Sequence, residues 1–181
     1  MNKNIIASIV ALGMVSGAAQ ATEHDVTFNG SVTAVTCDLE VTGEGSHSGL
    51  PNMVDLGQAE LGSRGKLVNF AFKPSQTNNN QQTCDNMEDT GTATLTWYGT
   101  SFDGTGLGKT AGTAEGAYVE LMATNATADN NQPITASGTS HDFSPSELKT
   151  GGDGLQYSAQ LVSGSEAGDF EAVARYAFSY K

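Results

Sequence analysis

Alternation of apolar and polar residues is the dominant pattern along the chain after its first 21 residues. Side chains of an extended strand point alternately to opposite faces, so this pattern predicts short strands that each bury one face. No segment of ten or more residues shows the spacing and caps of an amphipathic helix. The predicted strands, about eight or nine in all, include Val26–Val35, Cys37–Val41, Val54–Leu56, Leu67–Phe72, Ala93–Tyr98, Tyr118–Ala123, Gln156–Val162 and Val173–Tyr180.

Turn-forming residues separate these strands, and the chain contains 22 glycines. Many short antiparallel strands joined by turns are typical of an all-β sandwich. The polar tract Ser75–Gln82 has no face to bury, so we predict an exposed connection there. Ser144–Leu148 is expected to form one helical turn and nothing longer.

The first 21 residues predict a secretory signal peptide. Lys3 supplies the positive end, Ile5–Val15 is an apolar run, and Ala19-Gln20-Ala21 is a small-x-small cleavage site. The apolar run is too short for a permanent membrane-spanning helix. We therefore expect residues 1–21 to be removed on export and the remaining chain to be soluble or assembled.

Two terminal segments carry apolar faces that an ordinary sandwich does not need. The N-terminal face consists of His24, Val26, Phe28, Gly30 and Val32, and the C-terminal face of Ala174, Tyr176, Phe178 and Tyr180. A glycine within the first face marks a place where another backbone approaches closely. Since free termini usually fray, the apolar C-terminal face indicates that a partner covers it.

The net charge excludes some kinds of binding partner, and the two cysteines predict a disulfide. The net charge is −12, so the chain lacks the basic surface that binds nucleic acid, and anionic membranes are disfavoured by the same sign. Cys37 and Cys84 are most simply a disulfide in an exported chain, worth about 4 kcal/mol by chain entropy. Two free thiols or half of a metal site are the alternative.

Short motifs in a fixed order make the chain resemble the major subunits of chaperone–usher fimbriae, particularly those of enterotoxigenic bacteria of animals. The motifs are Phe28-Asn29-Gly30-Ser31-Val32, Thr36-Cys37, Val54-Asp55-Leu56-Gly57-Gln58, Phe70-Ala71-Phe72 leading to Cys84, Tyr157-Ser158-Ala159-Gln160-Leu161 and the terminal Tyr176–Lys181. With the signal peptide, the resemblance covers essentially the whole chain.

The resemblance implies an incomplete immunoglobulin-like sandwich, the pilin fold, completed by a donated strand. Residues 22–34 would be the donor-strand extension and residues 35–181 the pilin domain. The donor strand would insert Val26, Phe28, Gly30 and Val32 into a groove of the next subunit. That acceptor groove, which is also the chaperone contact, would be formed by Tyr176, Phe178, Tyr180 and Lys181.

The implied partners are a periplasmic chaperone, an outer-membrane usher and identical subunits in a filament at the cell surface. A chaperone would hold the Lys181 carboxylate through its own basic residues. The implied function is a structural fimbrial subunit that polymerises by donor-strand exchange and supports cell adhesion.

Catalytic chemistry is not indicated. His24, His47 and His141 are scattered and have no nucleophile or carboxylate at a motif spacing. His141 and Asp142 are neighbours, and on a strand they would point to opposite faces. We expect no enzyme activity, no metal site and no cofactor.

Two alternatives remain within the fimbrial interpretation. The shaft subunit itself could bind glycans of the host through the aromatic residues Trp97, Tyr98 and Phe102, although Trp97 has the position of a core residue of its strand. Glu166 and Asp169 make the loop around them unsuited to an anionic sugar. The second alternative is a minor tip or adaptor pilin.

Overall fold

The structure is a computed structural model that describes residues 37–47, 50–77 and 79–181. Its strands are β1 (Leu39–Gly43), β2 (Ser46–His47), β3 (Leu50–Val54), β4 (Arg64–Pro74), β5 (Ala93–Tyr98), β6 (Leu107–Gly108), β7 (Ala111–Gly112), β8 (Tyr118–Ala123), β9 (Thr139–Phe143), β10 (Leu155–Val162), β11 (Phe170–Glu171) and β12 (Arg175–Tyr180). The predicted signal peptide and the predicted strand Val26–Val35 lie outside the described residues.

Two antiparallel sheets form the body of the fold. The larger sheet has the strand order β1-β4-β10-β8-β6, and the smaller has the order β12-β5-β9. Strand β4 is 11 residues long and pairs with both β1 and β10, whereas β5 pairs with β9 and β12. Two short ribbons, β2-β3 and β7-β11, accompany them. Strands β1 and β12 are thus edge strands of different sheets.

The hydrophobic core is formed by the inward faces of both sheets. Phe72 of β4, Tyr157 of β10 and Leu95 of β5 are each 0% exposed. Alternation within β5 buries Ala93, Leu95 and Trp97, while the residues between them are partly exposed. This is the period-two pattern from which the strands were predicted, and it confirms the predicted sandwich.

Most of the predicted strands are present, with shifted ends. Strands β5 and β8 have the predicted bounds, and β4 and β10 extend further than predicted. The prediction of a strand at Val54–Leu56 was wrong, because β3 ends at Val54. Beyond it the N–H of Gly57 donates to the Asp55 side chain at 2.8 Å, and the positive φ of Gly57 (67°) turns the chain.

The polar tract Ser75–Gln82 is not simply an exposed connection. It leads into a short helix, α1 (Asn80–Asp85), in which Asn80 and Cys84 are buried. The predicted single helical turn is confirmed as a 3-10 helix at Pro145–Leu148, whose first turn is capped by the Ser144 side chain. Within the described residues, no helix is long and apolar enough to cross a membrane.

Candidate functional site

The inward face of the last strand is incompletely covered. Side chains of β12 alternate between exposed and half-buried, and the half-buried ones are Tyr176, Phe178 and Tyr180. On the neighbouring strand β5, Ala93 and Leu95 are 0% exposed. Both faces line the same core, so the inner face of β12 is less completely covered than that of its neighbour β5.

A second row of half-buried apolar side chains lies on the other edge strand, at the end of β3 and just after β3. These residues, which pack on the core without being enclosed by it, are Leu39, Val41, Val54 and Leu56. The rows of β1 and β12 belong to different sheets. We use the name edge groove for the apolar rows of β1 and β12 together with Phe72 and Trp97, whose rings lie 4.5 and 6.4 Å from that of Tyr176.

Tyr176 joins the two walls of the edge groove. Its hydroxyl donates to the main-chain carbonyl of Leu39 on β1 at 2.9 Å. Its ring lies 4.5 Å from the ring of Phe72, centroid to centroid. Burial raises the pKa of Tyr176, and the carboxylates of Asp38 and Glu40 raise it further. The hydroxyl therefore keeps its proton and remains a donor at neutral pH.

The hydrogen-bond pattern of β12 leaves one side of the strand unpaired within the described part of the chain. Thr92 and Lys181 exchange two main-chain hydrogen bonds, with N···O distances of 2.7 and 3.2 Å. Amides of an antiparallel strand alternate in direction. Since the Lys181 amide points to β5, the amides of Tyr176, Phe178 and Tyr180 point away from it, to the open edge.

The far end of β12 is held in place. The Tyr180 hydroxyl accepts a hydrogen bond from the N–H of Glu88 at 2.7 Å and donates to its carbonyl at 3.0 Å. Gly91 lies beneath this ring, where a Cβ atom would fall 2.5 Å from it. The C-terminal residues are thus paired up to Lys181 and present a fixed edge.

The β1 wall is held by contacts that sequence reasoning only partly anticipated. Cys37 and Cys84 form the predicted disulfide, with Cα atoms 5.1 Å apart. Asn80 was missed. Its buried side chain accepts from the N–H of Asp38 at 2.9 Å and donates to the Asp38 and Ser75 carbonyls at 2.8 and 3.1 Å.

The structure places the predicted acceptor residues together. Tyr176, Phe178 and Tyr180 lie on one face of β12, and Lys181 continues the strand. The donor residues Val26, Phe28, Gly30 and Val32 lie outside the described residues. The missed wall residues Leu39 and Val41 belong to the alternation already recognised at Cys37–Val41, and nothing in that pattern tells an edge strand from an inner one.

The aromatic residues considered for glycan binding are separated by burial. Trp97 is a core residue, 7% exposed, with its ring 5.6 Å from that of Phe72. Tyr98 is 45% exposed, and Phe102 is half-buried. His141 is buried and its neighbour Asp142 exposed, as the alternation predicted. Among the described residues, no group of three or more His, Cys, Asp or Glu side chains is placed to hold a metal ion.

Comparison with solved structures identifies the class of fold. The crystal structure of the P pilus rod subunit PapA matches with a TM-score of 0.52 and 20% sequence identity, over 88% of this chain and all of that one. The chain therefore shares the fold of that subunit, the immunoglobulin-like sandwich of the pilins. No family model matches the sequence.

Sequence relatives identify the family. The F107 fimbrial protein of Escherichia coli is 33% identical over 181 residues, which is 100% of both chains. The K99 fimbrial protein of Escherichia coli is 27% identical over 194 residues, 99% of both chains. The chain belongs to this family of fimbrial proteins. It is a structural subunit of a surface fimbria and not an enzyme, as the sequence predicted.

Proposed function

We propose that the subunits polymerise by donor-strand exchange, in which residues 22–34 of one subunit fill the edge groove of the next. The proposal rests on one observation above the others. Tyr176, Phe178 and Tyr180 are half-exposed on a strand whose neighbour, β5, has a fully buried inner face. A strand laid beside β12 would cover these rings and take up the amides that point to the open edge.

The donor segment has the chemistry that the groove requires. In an extended conformation Val26, Phe28 and Val32 would share one face, and each would contribute about 1.5–3 kcal/mol when fully buried. Each main-chain hydrogen bond to the open edge would add about 0.5–1.5 kcal/mol net. Ordering the segment would offset part of this gain. Because each subunit would donate to one neighbour and accept from another, the contact would be head-to-tail and would build a filament.

We propose residues 1–21 as the signal peptide, residues 22–34 as the donor segment and residues 35–181 as the pilin domain. Cleavage after Ala21 would free the donor segment. Before assembly, a periplasmic chaperone would cover the edge groove and pass the subunit to an outer-membrane usher. The paired, exposed C-terminus at Lys181 supports this proposal, because its fixed carboxylate is accessible to basic residues of a chaperone.

Two substitutions in the donor segment test the proposal against a matched control. Phe28→Asp puts a charge on the face that enters the groove, whereas Thr27→Asp puts the same charge on the opposite face. We expect Phe28→Asp to stop polymerisation and Thr27→Asp to leave fibres of nearly normal length by electron microscopy. Equal fibre lengths for the two variants would contradict this register.

Deletion of residues 22–34 tests the mechanism itself. The truncated subunit retains the edge groove and can accept a strand, but it has none to donate. We expect it to be secreted to the periplasm with its chaperone and to end chains when it is co-expressed with the full-length subunit. Long fibres assembled from the truncated subunit alone would overturn donor-strand exchange for this protein.

Adhesion is proposed for the assembled fimbria, not for a site on the subunit. Trp97, the largest candidate platform for a sugar, is in the core, so the aromatic group considered for glycan binding is incomplete on the surface. We expect purified fimbriae of this subunit alone to give no signal on neutral or sialylated glycan arrays. A reproducible signal that Tyr98→Ala abolishes would establish the subunit as an adhesin.

A further inference from the structure

Arg175 is an exposed cation without an acidic partner among the described residues. Arg64, Lys66, Lys109 and Lys149 each contact a carboxylate, namely those of Glu120, Glu44, Glu115 and Asp89. The other three cationic residues described, Lys73, Arg175 and Lys181, have none within salt-bridge distance, and Lys73 donates instead to the carbonyl of Gly152. Arg175 thus offers an exposed guanidinium to a partner, in a chain with 20 acidic residues.

Two exposed hydrophobic side chains lie beside this guanidinium. Tyr98 stands directly opposite Arg175 in the β5–β12 ladder and is 45% exposed. Val173, two residues before Arg175 in the same alternation, is 52% exposed. Residues directly opposite each other share a face of the sheet, and Val173 lies in the segment that leads into β12, two residues before Arg175. We call Tyr98, Val173 and Arg175 the Arg175 patch.

The composition and shape of the Arg175 patch favour a protein partner. Tyrosine and arginine are enriched among the residues that dominate binding energy in protein interfaces. Sites for small molecules and sugars are usually concave. Tyr98 and Arg175 lie on the outer face of a sheet, and the residues of the patch line neither the hollow beside Lys73 nor the one beside Tyr118.

We propose that the Arg175 patch binds an acidic surface segment of a second copy of this chain. Charge complementarity supports this occupant, since a subunit with 20 acidic and 8 basic residues offers carboxylates over most of its surface. Continuity with the edge groove supports it too. Arg175 precedes the groove residue Tyr176 on β12, so a subunit that inserts its donor segment there is brought close to the patch. In this respect the inference rests on the proposed function.

The contact adds a function that strand exchange alone does not supply. Strand exchange would join two subunits through a single donated segment. A guanidinium that binds a carboxylate through two hydrogen bonds, with a tyrosine and a valine beside it, fixes one body against another. The patch would therefore set the packing of subunits within the fimbria, while the edge groove sets their connection.

Photo-crosslinking in assembled fimbriae tests the proposal. The residue at position 98 is replaced by p-benzoylphenylalanine, the fimbriae are irradiated, and the sample is boiled in detergent so that only covalent links survive. We expect a product of two subunits whose linked peptide, identified by mass spectrometry, is acidic. Adding Arg175→Glu should lower its yield about tenfold. Lys66→Glu, an exposed charge reversal of the same size, should leave the yield within about twofold.

Every outcome of this experiment either supports or contradicts the proposed contact of the Arg175 patch. Absence of a two-subunit product, or equal losses with Arg175→Glu and Lys66→Glu, overturns the proposal. So does loss of anionic-glycan binding by Arg175→Glu with an unchanged crosslink, which would make the patch a sugar site. If Arg175→Glu prevents secretion, Arg175→Gln in the same assay replaces it. Polymerisation by the subunit lacking residues 22–34 is a separate readout, and its result bears on strand exchange and not on this patch.

Discussion

Tyr176 and Tyr98 show how differently two tyrosines on paired strands contribute to this protein. Tyr176 points inward, packs on Phe72 and donates its hydroxyl to Leu39 across the edge groove. Tyr98 points outward and is 45% exposed. The alternation of the sequence predicted these opposite faces. It did not predict the hydroxyl contact, because the β1 carbonyl that accepts it is brought close only by the packing of the two sheets.

Replacement of Tyr176 by phenylalanine isolates that hydrogen bond, because the ring is kept. We expect Tyr176→Phe to lower the free energy of unfolding of the mature subunit by about 1 kcal/mol, the usual net value of one such bond. Tyr98→Phe, which removes an exposed hydroxyl, should change it by less than about 0.5 kcal/mol. Urea titration of both variants measures the difference. Equal changes would mean that the contact with Leu39 does not stabilise the walls of the groove.

His141 gives the core a dependence on pH. It is 5% exposed, with its Nδ1 3.5 Å from the Tyr157 hydroxyl. Burial lowers the pKa of His141, and the nearby carboxylates of Asp129 and Asp142 oppose that change only in part. The unfolded chain therefore binds a proton near the ordinary histidine pKa of about 6.5, where the folded protein does not. Stability contributed by neutral His141 is present above that pH and is lost as the pH falls below it.

The change in stability between about pH 7.5 and pH 5.5 tests whether His141 causes this pH dependence. We expect the urea midpoint of the wild-type subunit to fall over this range. It should fall less for His141→Gln, which keeps a polar side chain that does not titrate. A fall of the same size in the variant would assign the pH dependence to other groups.

At the scale of elements, β1 and β12 are edge strands held by contacts at their ends. The disulfide and Asn80 fix the start of β1, while Tyr180 and the Thr92–Lys181 pair fix the end of β12. Both walls of the edge groove are thereby kept in position by contacts at their own ends. A groove formed in advance lowers the ordering cost of binding a strand.

Asn80 is the contact whose removal tests this arrangement. Asn80→Ala leaves the main-chain N–H of Asp38 without its partner, while the Asp38 carbonyl keeps the N–H of Ser75. We expect a loss of about 1–3 kcal/mol in the free energy of unfolding. The control is Gln82→Ala, on an exposed position of the same helix, which should cost less than about 0.5 kcal/mol. Thermal unfolding with the disulfide intact provides the comparison. A stable Asn80→Ala variant would mean that the disulfide and the pairing with β4 hold β1 without Asn80.

The sequence predicts some of the strands and helices better than others. Strands β5 and β8 alternate in apolar residues and were predicted to the residue. Strand β9 was missed because Thr139, Ser140 and Asp142 are polar and only His141 and Phe143 face the core. Helix α1 was missed because its polar residues have no apolar period, and its buried Asn80 is held by hydrogen bonds to distant carbonyls. Such contacts arise from tertiary structure, so local patterns do not reveal them.

In the subunit as a whole, the β1 edge of one sheet and the β12 edge of the other both carry half-buried apolar side chains. The family resemblance predicts an acceptor groove at β12, and the half-buried rings of that strand support this prediction. An open edge with apolar side chains is prone to unwanted association. The net charge of −12 opposes that association in free subunits. Strand exchange would then make the correct neighbour the favoured partner.

Hydrogen exchange of the β12 amides distinguishes an open edge from one that is paired with a donated strand. The measurement compares the truncated subunit lacking residues 22–34 with fibres of the full-length subunit. The amides of Tyr176, Phe178 and Tyr180 face the open edge, so they should exchange rapidly in the truncated subunit and become protected in the fibre. The amides of Ala177 and Ser179, which face β5, should be protected in both. If Tyr176, Phe178 and Tyr180 exchange equally fast in fibres and in the truncated subunit, no strand fills the groove and the account is wrong.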